Sequence, residues 1–131
     1  MRDRDAIIPF IEGRLRTPFA WGRARNDCVS FAVAAVKRQT GKDVLTGSGL
    51  RWRSEAGAER ALAREGGLAQ AIGRRLKRIA VAEAGRGDIA LAIGASGPFL
   101  AVVEGETLAA PGPEGLQRFP RAAMRRAWEP R

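Results

Sequence analysis

The sequence predicts an α+β fold, and three observations predict it. Apolar residues follow helical spacing in the first half of the chain, whereas the second half holds short apolar runs separated by Gly-containing turns. The length of 131 residues suits one domain. We therefore expect residues 1–131 to form a single domain, with N-terminal helices packed on a small antiparallel sheet.

The first two helices are predicted from apolar spacing and end signals. A short helix is expected over residues 5–15. The clearest helix runs from about 27 to 40, where Asn26 or Asp27 supplies the cap and Gly41 ends it. Because most of this second helix is apolar on nearly every face, we expect it at the centre of the fold.

A surface loop and two shorter helices follow. Residues 43–53 are rich in Thr, Gly and Ser and are predicted to form an exposed loop that carries Trp52. A third helix opens at Ser54 and stops at 66–67, and a fourth covers 68–76.

Strands are predicted in the second half. Residues 89–93, 100–103 and 107–110 are short apolar runs typical of antiparallel strands, and 115–119 add another short strand. Residues 122–128 are predicted to form a last helical turn or two.

Composition excludes several function classes. The chain has no histidine and one cysteine, which excludes a Ser-His-Asp triad, a Cys-His pair, an imidazole metal ligand and an intrachain disulfide. We therefore predict no metal and no cofactor. The 23 basic residues exceed the 14 acidic ones, giving a formal net charge of +9, so an acidic protein, nucleic acid or a membrane surface is a conceivable partner.

No segment approaches the roughly 18 consecutive apolar residues of a membrane span. Residues 1–16 mix acids and bases and carry only a short apolar run, unlike a signal peptide. We therefore expect synthesis and folding in the cytosol.

One motif places a thiol at a helix N-terminus. Phe19, Trp21 and Gly22 precede the pair Asp27 and Cys28 at the start of the apolar helix. A thiol in that position lies near the positive end of the helix dipole, which favours the thiolate. The motif resembles the nucleophile region of the NlpC-type cysteine peptidases, which act on cell walls and have a papain-like fold. That resemblance implies the nucleophile position for Cys28.

The resemblance continues in the strands but lacks the catalytic base. Residues 87–91 and 99–105 are similar to the first two strands of the NlpC-type peptidases. The histidine base of that family falls here at Phe99 or Leu100, and the polar residue that orients it falls within the apolar stretch 108–110. The whole base relay is therefore missing.

The functional interpretation of each motif residue competes with a structural one. Cys28 is either a small buried hydrophobe or a nucleophile with Asp88 or Glu104 as a poor substitute base. Asp27 is either a helix cap or a catalytic residue. Phe19 and Trp21 are either core anchors or substrate platforms.

The sequence is also similar to a group of small phage and prophage proteins that share the PFAWG, DC, TG, GD and APGPEGL pattern, some of which lie among tail genes. This similarity implies a tail-tip or tail-assembly protein that binds other tail proteins. Such a protein is made in the host cytoplasm and resides in the virion tail.

Two segments are candidate contact surfaces for a protein partner. They are Arg51-Trp52-Arg53 and the C-terminal segment with Arg125 and Trp128. Trp and Arg are the residues most enriched at the energetic centres of interfaces. We therefore expect Trp52 or Trp128 to be buried against another chain.

Three functions follow from these observations. The first is a structural or interaction protein of a phage tail, built on an inactivated NlpC-type peptidase fold. The second is a cysteine hydrolase that cleaves peptidoglycan peptides through Cys28, with a base that the sequence does not identify or that a partner supplies. The third is a basic nucleic-acid-binding domain, disfavoured because the basic runs 74–78 and 121–126, expected on exposed helical faces, lack interleaved aromatics.

Overall fold

A computed structural model describes residues 2–130. Helices and strands follow the predicted order, helices first and strands afterwards, which confirms the α+β class. The helices are α1 (Ile7–Glu12), α2 (Cys28–Thr40), α3 (Glu55–Ala63) and α4 (Leu68–Gly73). The strands are β1 (Lys77–Ile79), β2 (Ile89–Gly94), β3 (Gly97–Val103), β4 (Thr107–Gly112), β5 (Gly115–Pro120) and β6 (Met124–Glu129).

The six strands form one antiparallel sheet in the order β1-β6-β2-β3-β4-β5. Strands β2 to β5 follow one another as a meander, and β6 returns to lie between β1 and β2. Ile89 of β2 lies opposite Val102 of β3 and Trp128 of β6. These side chains join the main core with α2, so the helices cover one face of the sheet.

The other face of the sheet carries a second, smaller apolar cluster. Ala90, Ala101, Val103 and Leu108 lie there, each fully buried, and the segment 79–84 packs against them. Both faces of the central strands are therefore covered. This explains why the strand sequences are apolar runs rather than a strict alternation of apolar and polar residues.

Helix α2 is the centre of the fold, as its composition predicts. Its cap is Asp27, whose side chain accepts the backbone N–H of Ser30 at 2.8 Å. It ends at Gly41, which adopts φ +80° and donates its N–H to the carbonyl of Lys37. Phe31 has no solvent-exposed surface. Both end signals in the sequence therefore act as predicted.

The prediction of a helix over 122–128 is wrong. A single 3-10 turn covers Arg121–Ala123, and the rest is strand β6, which pairs with both β1 and β2. Ala127 and Trp128 are buried in the two clusters on opposite sides of the sheet. Burial on both sides of a central strand stabilises the extended form of this segment.

The region after α3 also differs from the prediction. Helix α4 ends at Gly73 instead of residue 76, and the unpredicted strand β1 follows it. The basic runs therefore do not lie on exposed helices, since Lys77, Arg78, Arg125 and Arg126 belong to strands. Near the N-terminus, the helix expected over 5–15 is shorter, a 3-10 turn followed by α1.

None of the helices in the described residues 2–130 has the length and apolar content needed to cross a membrane.

Candidate functional site

The carboxylate of Asp27 joins three parts of the chain. Its Oδ1 accepts the Ser30 N–H that caps α2. Its Oδ2 accepts the backbone N–H of Gly22 at 3.0 Å and the indole N–H of Trp52 at 2.7 Å. Asp27 is only 1% exposed, and these three donors compensate for the loss of water around its charge. The interpretation of Asp27 as a cap is confirmed. Its bonds to Gly22 and Trp52 also tie the preceding loop and the Trp52 segment to the start of α2.

A tight loop precedes α2 and is held in one shape by backbone and side-chain hydrogen bonds. Ala20 and Asn26 exchange two backbone hydrogen bonds of 3.2 and 3.1 Å across its base. The Ser30 hydroxyl donates to the Gly22 carbonyl and accepts the Ala24 N–H, both at 3.1 Å. Gly22 has φ +138° and Ala24 has φ +67°, so the loop needs these bonds to hold unusual backbone angles.

Cys28 is the first residue of α2 and is partly exposed. Burial of the thiol, with a smaller effect of the Asp27 charge, raises the pKa of Cys28 to about 11, although hydrogen bonds from the backbone at Leu100, Cys28 and Val29 act in the opposite direction. The thiol is therefore protonated at neutral pH. At Cys28 desolvation therefore opposes the effect of the helix N-terminus and outweighs it, in contrast to the thiolate that the sequence predicts.

A groove of about 700 Å³ lies over Cys28. Five aromatic side chains line it: Phe19, Trp21, Trp52, Phe99 and Phe119. The rings of Phe19 and Trp21 meet edge to face at 4.8 Å, and those of Phe99 and Phe119 lie 4.9 Å apart. A concave site with apolar walls and this volume is typical of ligand pockets.

The charged residues of the groove are all acidic. Glu55 and Glu59 line its α3 wall, four residues apart on the helix, and both are exposed. Neither forms an ion pair within residues 2–130. No arginine or lysine is among the lining residues, in a chain with a formal net charge of +9. The groove therefore favours a neutral or cationic apolar ligand over an anionic one.

Residues 1–130 match the family described as a domain of unknown function, DUF6950. The chain belongs to this family. No curated protein matches it. Because the match covers both the helices and the sheet, the groove lies wholly inside the DUF6950 domain.

The two candidate substitute bases lie outside the groove of the DUF6950 domain. Asp88 is fully buried and accepts from Arg2 at 2.7 Å and from the Gly85 N–H at 2.8 Å. Glu104 accepts from Arg118 at 3.0 Å. Neither carboxylate lines the groove that contains Cys28. The prediction that Asp88 or Glu104 serves as a base for Cys28 is therefore corrected. Both carboxylates have structural roles.

The prediction that Trp52 or Trp128 contacts a partner chain is also corrected. Trp52 is 6% exposed and Trp128 is 2% exposed, because both pack inside the DUF6950 domain's own core. The neighbouring arginines Arg51, Arg53, Arg125 and Arg126 remain exposed. The loop with Trp52 is thus anchored by its aromatic residue, and its arginines form the free surface.

Sequence reasoning missed three residues of this region. Ser30 holds the loop, and Glu55 and Glu59 give the groove its acidic wall. The four-residue spacing of the two glutamates does place them on one face of a helix, which the sequence shows. What the sequence does not show is that this face lies across from Cys28.

Proposed function

We propose that the protein is a non-catalytic binding module built on an inactivated NlpC-type, papain-like fold, and that it serves in a phage or prophage tail tip or in tail assembly. One observation carries the binding part of the proposal. The groove has the volume and aromatic lining of a ligand site, while the thiol of Cys28 faces the backbone at Leu100 and no imidazole. The tail assignment rests on the sequence similarity to phage and prophage proteins.

The chemistry of Cys28 supports binding rather than hydrolysis. A nucleophilic cysteine needs a lowered pKa or an adjacent base. Here the pKa of the thiol is about 11. The carboxylate nearest in sequence, Asp27, is occupied by three hydrogen-bond donors.

The placement of α2 against β3 supports the papain-like assignment. In the family that the sequence resembles, the nucleophile begins a central helix, and the base lies on a neighbouring strand. Cys28 begins α2, and its thiol meets the backbone at Leu100 of β3, one of the two positions to which the resemblance assigns the missing base. This placement supports the proposal of a papain-like fold in which an apolar residue stands at the position of the family's base.

The lining of the groove indicates its ligand. Aromatic rings accept apolar groups and the faces of cations, and exposed glutamates attract cations. We expect a segment of another tail protein that presents apolar side chains with a lysine or arginine. A peptidoglycan peptide with a free amine is the alternative ligand.

A groove-blocking variant tests the proposal. Ala63 lines the groove and is exposed, so Ala63→Arg places a long cationic side chain in it without disturbing the core. Ala122 is also exposed but lies outside the groove, which makes Ala122→Arg the matched control. We expect wild type and Ala122→Arg to co-purify with tail components, and Ala63→Arg to lose them. Absence of the wild-type protein from every tail preparation would contradict the proposal.

The alternative function is a hydrolase, which the partial exposure of Cys28 in the groove favours. An activity assay and the tail preparation together distinguish it from the binding module. We expect no release of muropeptides from peptidoglycan by the isolated protein, and normal tail assembly by Cys28→Ser. Turnover that Cys28→Ser abolishes would replace the binding proposal with a hydrolase.

A further inference from the structure

A second concavity of about 590 Å³ lies beside the groove, and four arginines line it. They are Arg23, Arg25, Arg51 and Arg53, and no acidic residue lines it with them. We call this concavity the arginine hollow. Trp21 and Trp52 line both the groove and the hollow.

The arginine hollow is formed by two segments that are distant in sequence and bonded to each other. The backbone N–H of Arg23 donates to the carbonyl of Trp52 at 3.1 Å. The indole of Trp52 is in turn held by Asp27. The backbone segments that carry the two arginine pairs, at 23 and 25 and at 51 and 53, are therefore held together in a fixed frame, and binding has to order only the side chains.

Most of this positive charge is not neutralised within the described residues 2–130. Arg23 has one acidic neighbour, Asp43, at 3.7 Å. Arg25, Arg51 and Arg53 are exposed and form no ion pair within residues 2–130. Like charges that are held together repel one another, so an anion that binds between them gains attraction and relieves this repulsion.

The positive surface extends onto α3. A smaller concavity of about 260 Å³ shares Arg51, Trp52 and Arg53 with the hollow and adds Arg60 and Arg64. Arg60 and Arg64 are one helical turn apart. The whole surface therefore suits an extended ligand with several negative charges rather than a single ion.

We propose that the arginine hollow binds an acidic segment of a partner protein, one that carries several Asp or Glu residues. Arginine binds carboxylates through two parallel hydrogen bonds. The proposal rests on the binding-module function above but uses a surface other than the groove. The sequence already indicates Arg51 and Arg53 as contact residues for a partner. The proposal adds Arg23 and Arg25 to them and specifies that the partner segment is acidic.

Nucleic acid fits this surface less well. Proteins that bind single strands stack the bases on exposed aromatic side chains. At the hollow, Trp52 is 6% exposed and its indole N–H is bonded to Asp27, so Trp21 is the one partly exposed aromatic residue among the described residues that line it. A single ring offers no platform for successive bases. Recognition of duplex DNA needs a broad surface or an inserted helix, whereas the hollow is a concavity of about 590 Å³ between two loops. A narrow acidic chain matches the concave shape.

A peptide-display selection tests the proposal. Random peptides are selected on the wild-type protein, on Arg51→Glu/Arg53→Glu and on Arg125→Glu/Arg126→Glu. Both double variants change the net charge equally, and the arginines at 125 and 126 are exposed but lie outside the hollow. We expect wild type to enrich peptides with clustered Asp and Glu. Their affinity should fall at least about tenfold in the first variant and remain within about threefold in the second.

Three results would overturn the proposal. They are selected peptides without acidic clusters, equal losses in the two double variants, and tighter binding of an oligothymidine or a DNA duplex through the same arginines. The Ala63→Arg variant separates this proposal from that of the groove, because it should still bind the acidic peptides. If Ala63→Arg loses its association with tail components but still binds the acidic peptides, the result supports both the groove proposal and the proposal for the arginine hollow.

Discussion

The indole N–H of Trp52 donates a hydrogen bond of 2.7 Å to the carboxylate of Asp27, which lies 25 residues earlier in the chain. Both side chains are buried. Because the same carboxylate caps α2 and binds the N–H of Gly22, this one contact fixes the wall shared by the groove and the arginine hollow. The bond involves a charged acceptor, which makes it stronger than a bond between neutral groups.

Trp52→Phe should destabilise the protein through the loss of this bond. Phenylalanine keeps most of the apolar packing but leaves one donor fewer on a buried carboxylate. Trp128→Phe is the matched control, because Trp128 is equally well buried and its indole N–H has no hydrogen bond within the described residues. We expect the free energy of unfolding, measured by urea denaturation, to fall about 1–2 kcal/mol more for Trp52→Phe than for Trp128→Phe.

A double-mutant cycle with Asp27→Asn checks whether the lower stability of Trp52→Phe comes from the lost hydrogen bond. If the bond is the cause, the double variant Asp27→Asn/Trp52→Phe should be more stable than the two single losses predict, by about 1 kcal/mol. Strictly additive losses would mean that the contact contributes no energy of its own.

Gly22→Ala should also destabilise the protein. Gly22 has φ +138°, a region that residues with a side chain rarely adopt, and an added Cβ would lie 2.6 Å from Cδ of Arg25. Gly13→Ala is the control, since Gly13 has φ −68° and its added Cβ would come no closer than 3.4 Å to other atoms. We expect a loss of about 2 kcal/mol for Gly22→Ala and a change within about 0.5 kcal/mol for Gly13→Ala, by thermal or urea unfolding.

Local signals predicted those parts of the fold that depend on neighbouring residues. Helix α2 is correct because its cap, its apolar length and its terminal glycine lie within one stretch of sequence. Strands β2, β3, β4 and β5 are correct because glycines separate short apolar runs, and each strand pairs with the next in sequence. The α+β class follows from these two facts.

The errors share a physical cause, which is contact between distant segments. Strand β6 pairs with β2, more than 30 residues earlier, and local spacing alone suggested a helix there. Trp52, flanked by two charged arginines, has the local pattern of an exposed loop residue, but its ring packs in the main core and its indole N–H meets the distant carboxylate of Asp27. The motif around Cys28 supplies Phe19, Trp21 and Cys28 to the groove, but no local pattern indicated the groove itself. The acidic wall and the arginine hollow were not predictable, because each depends on how separate elements meet.

Asp88, which the sequence suggested as a substitute base, is predicted from the structure to stabilise the fold instead. It accepts hydrogen bonds from Arg2 and from the backbone of Gly85, and it fastens the N-terminal segment to the start of β2. Asp88→Asn should therefore lower the free energy of unfolding by about 2 kcal/mol. Asp5→Asn is the control, since the ion pair of Asp5 with Arg86 is largely exposed and should contribute less than about 1 kcal/mol. Equal losses in urea denaturation would refute a structural role for Asp88.

The reactivity of Cys28 provides the last prediction. Since the pKa of its thiol is about 11, only about one molecule in ten thousand carries the thiolate at pH 7. We expect slow alkylation by iodoacetamide at pH 7, with a rate that rises about tenfold per pH unit and shows no plateau below pH 10. The same protein unfolded in urea should react much faster at pH 7 and approach a plateau near pH 9, because a free cysteine has a pKa of about 8.5. Cys28→Ser gives the blank, since the chain has no other cysteine. A rate for the folded protein that levels off near pH 7 would show a thiolate stabilised by the start of α2. Such a thiolate would favour the hydrolase over the binding module, because the main chemical obstacle to nucleophilic attack would then be absent.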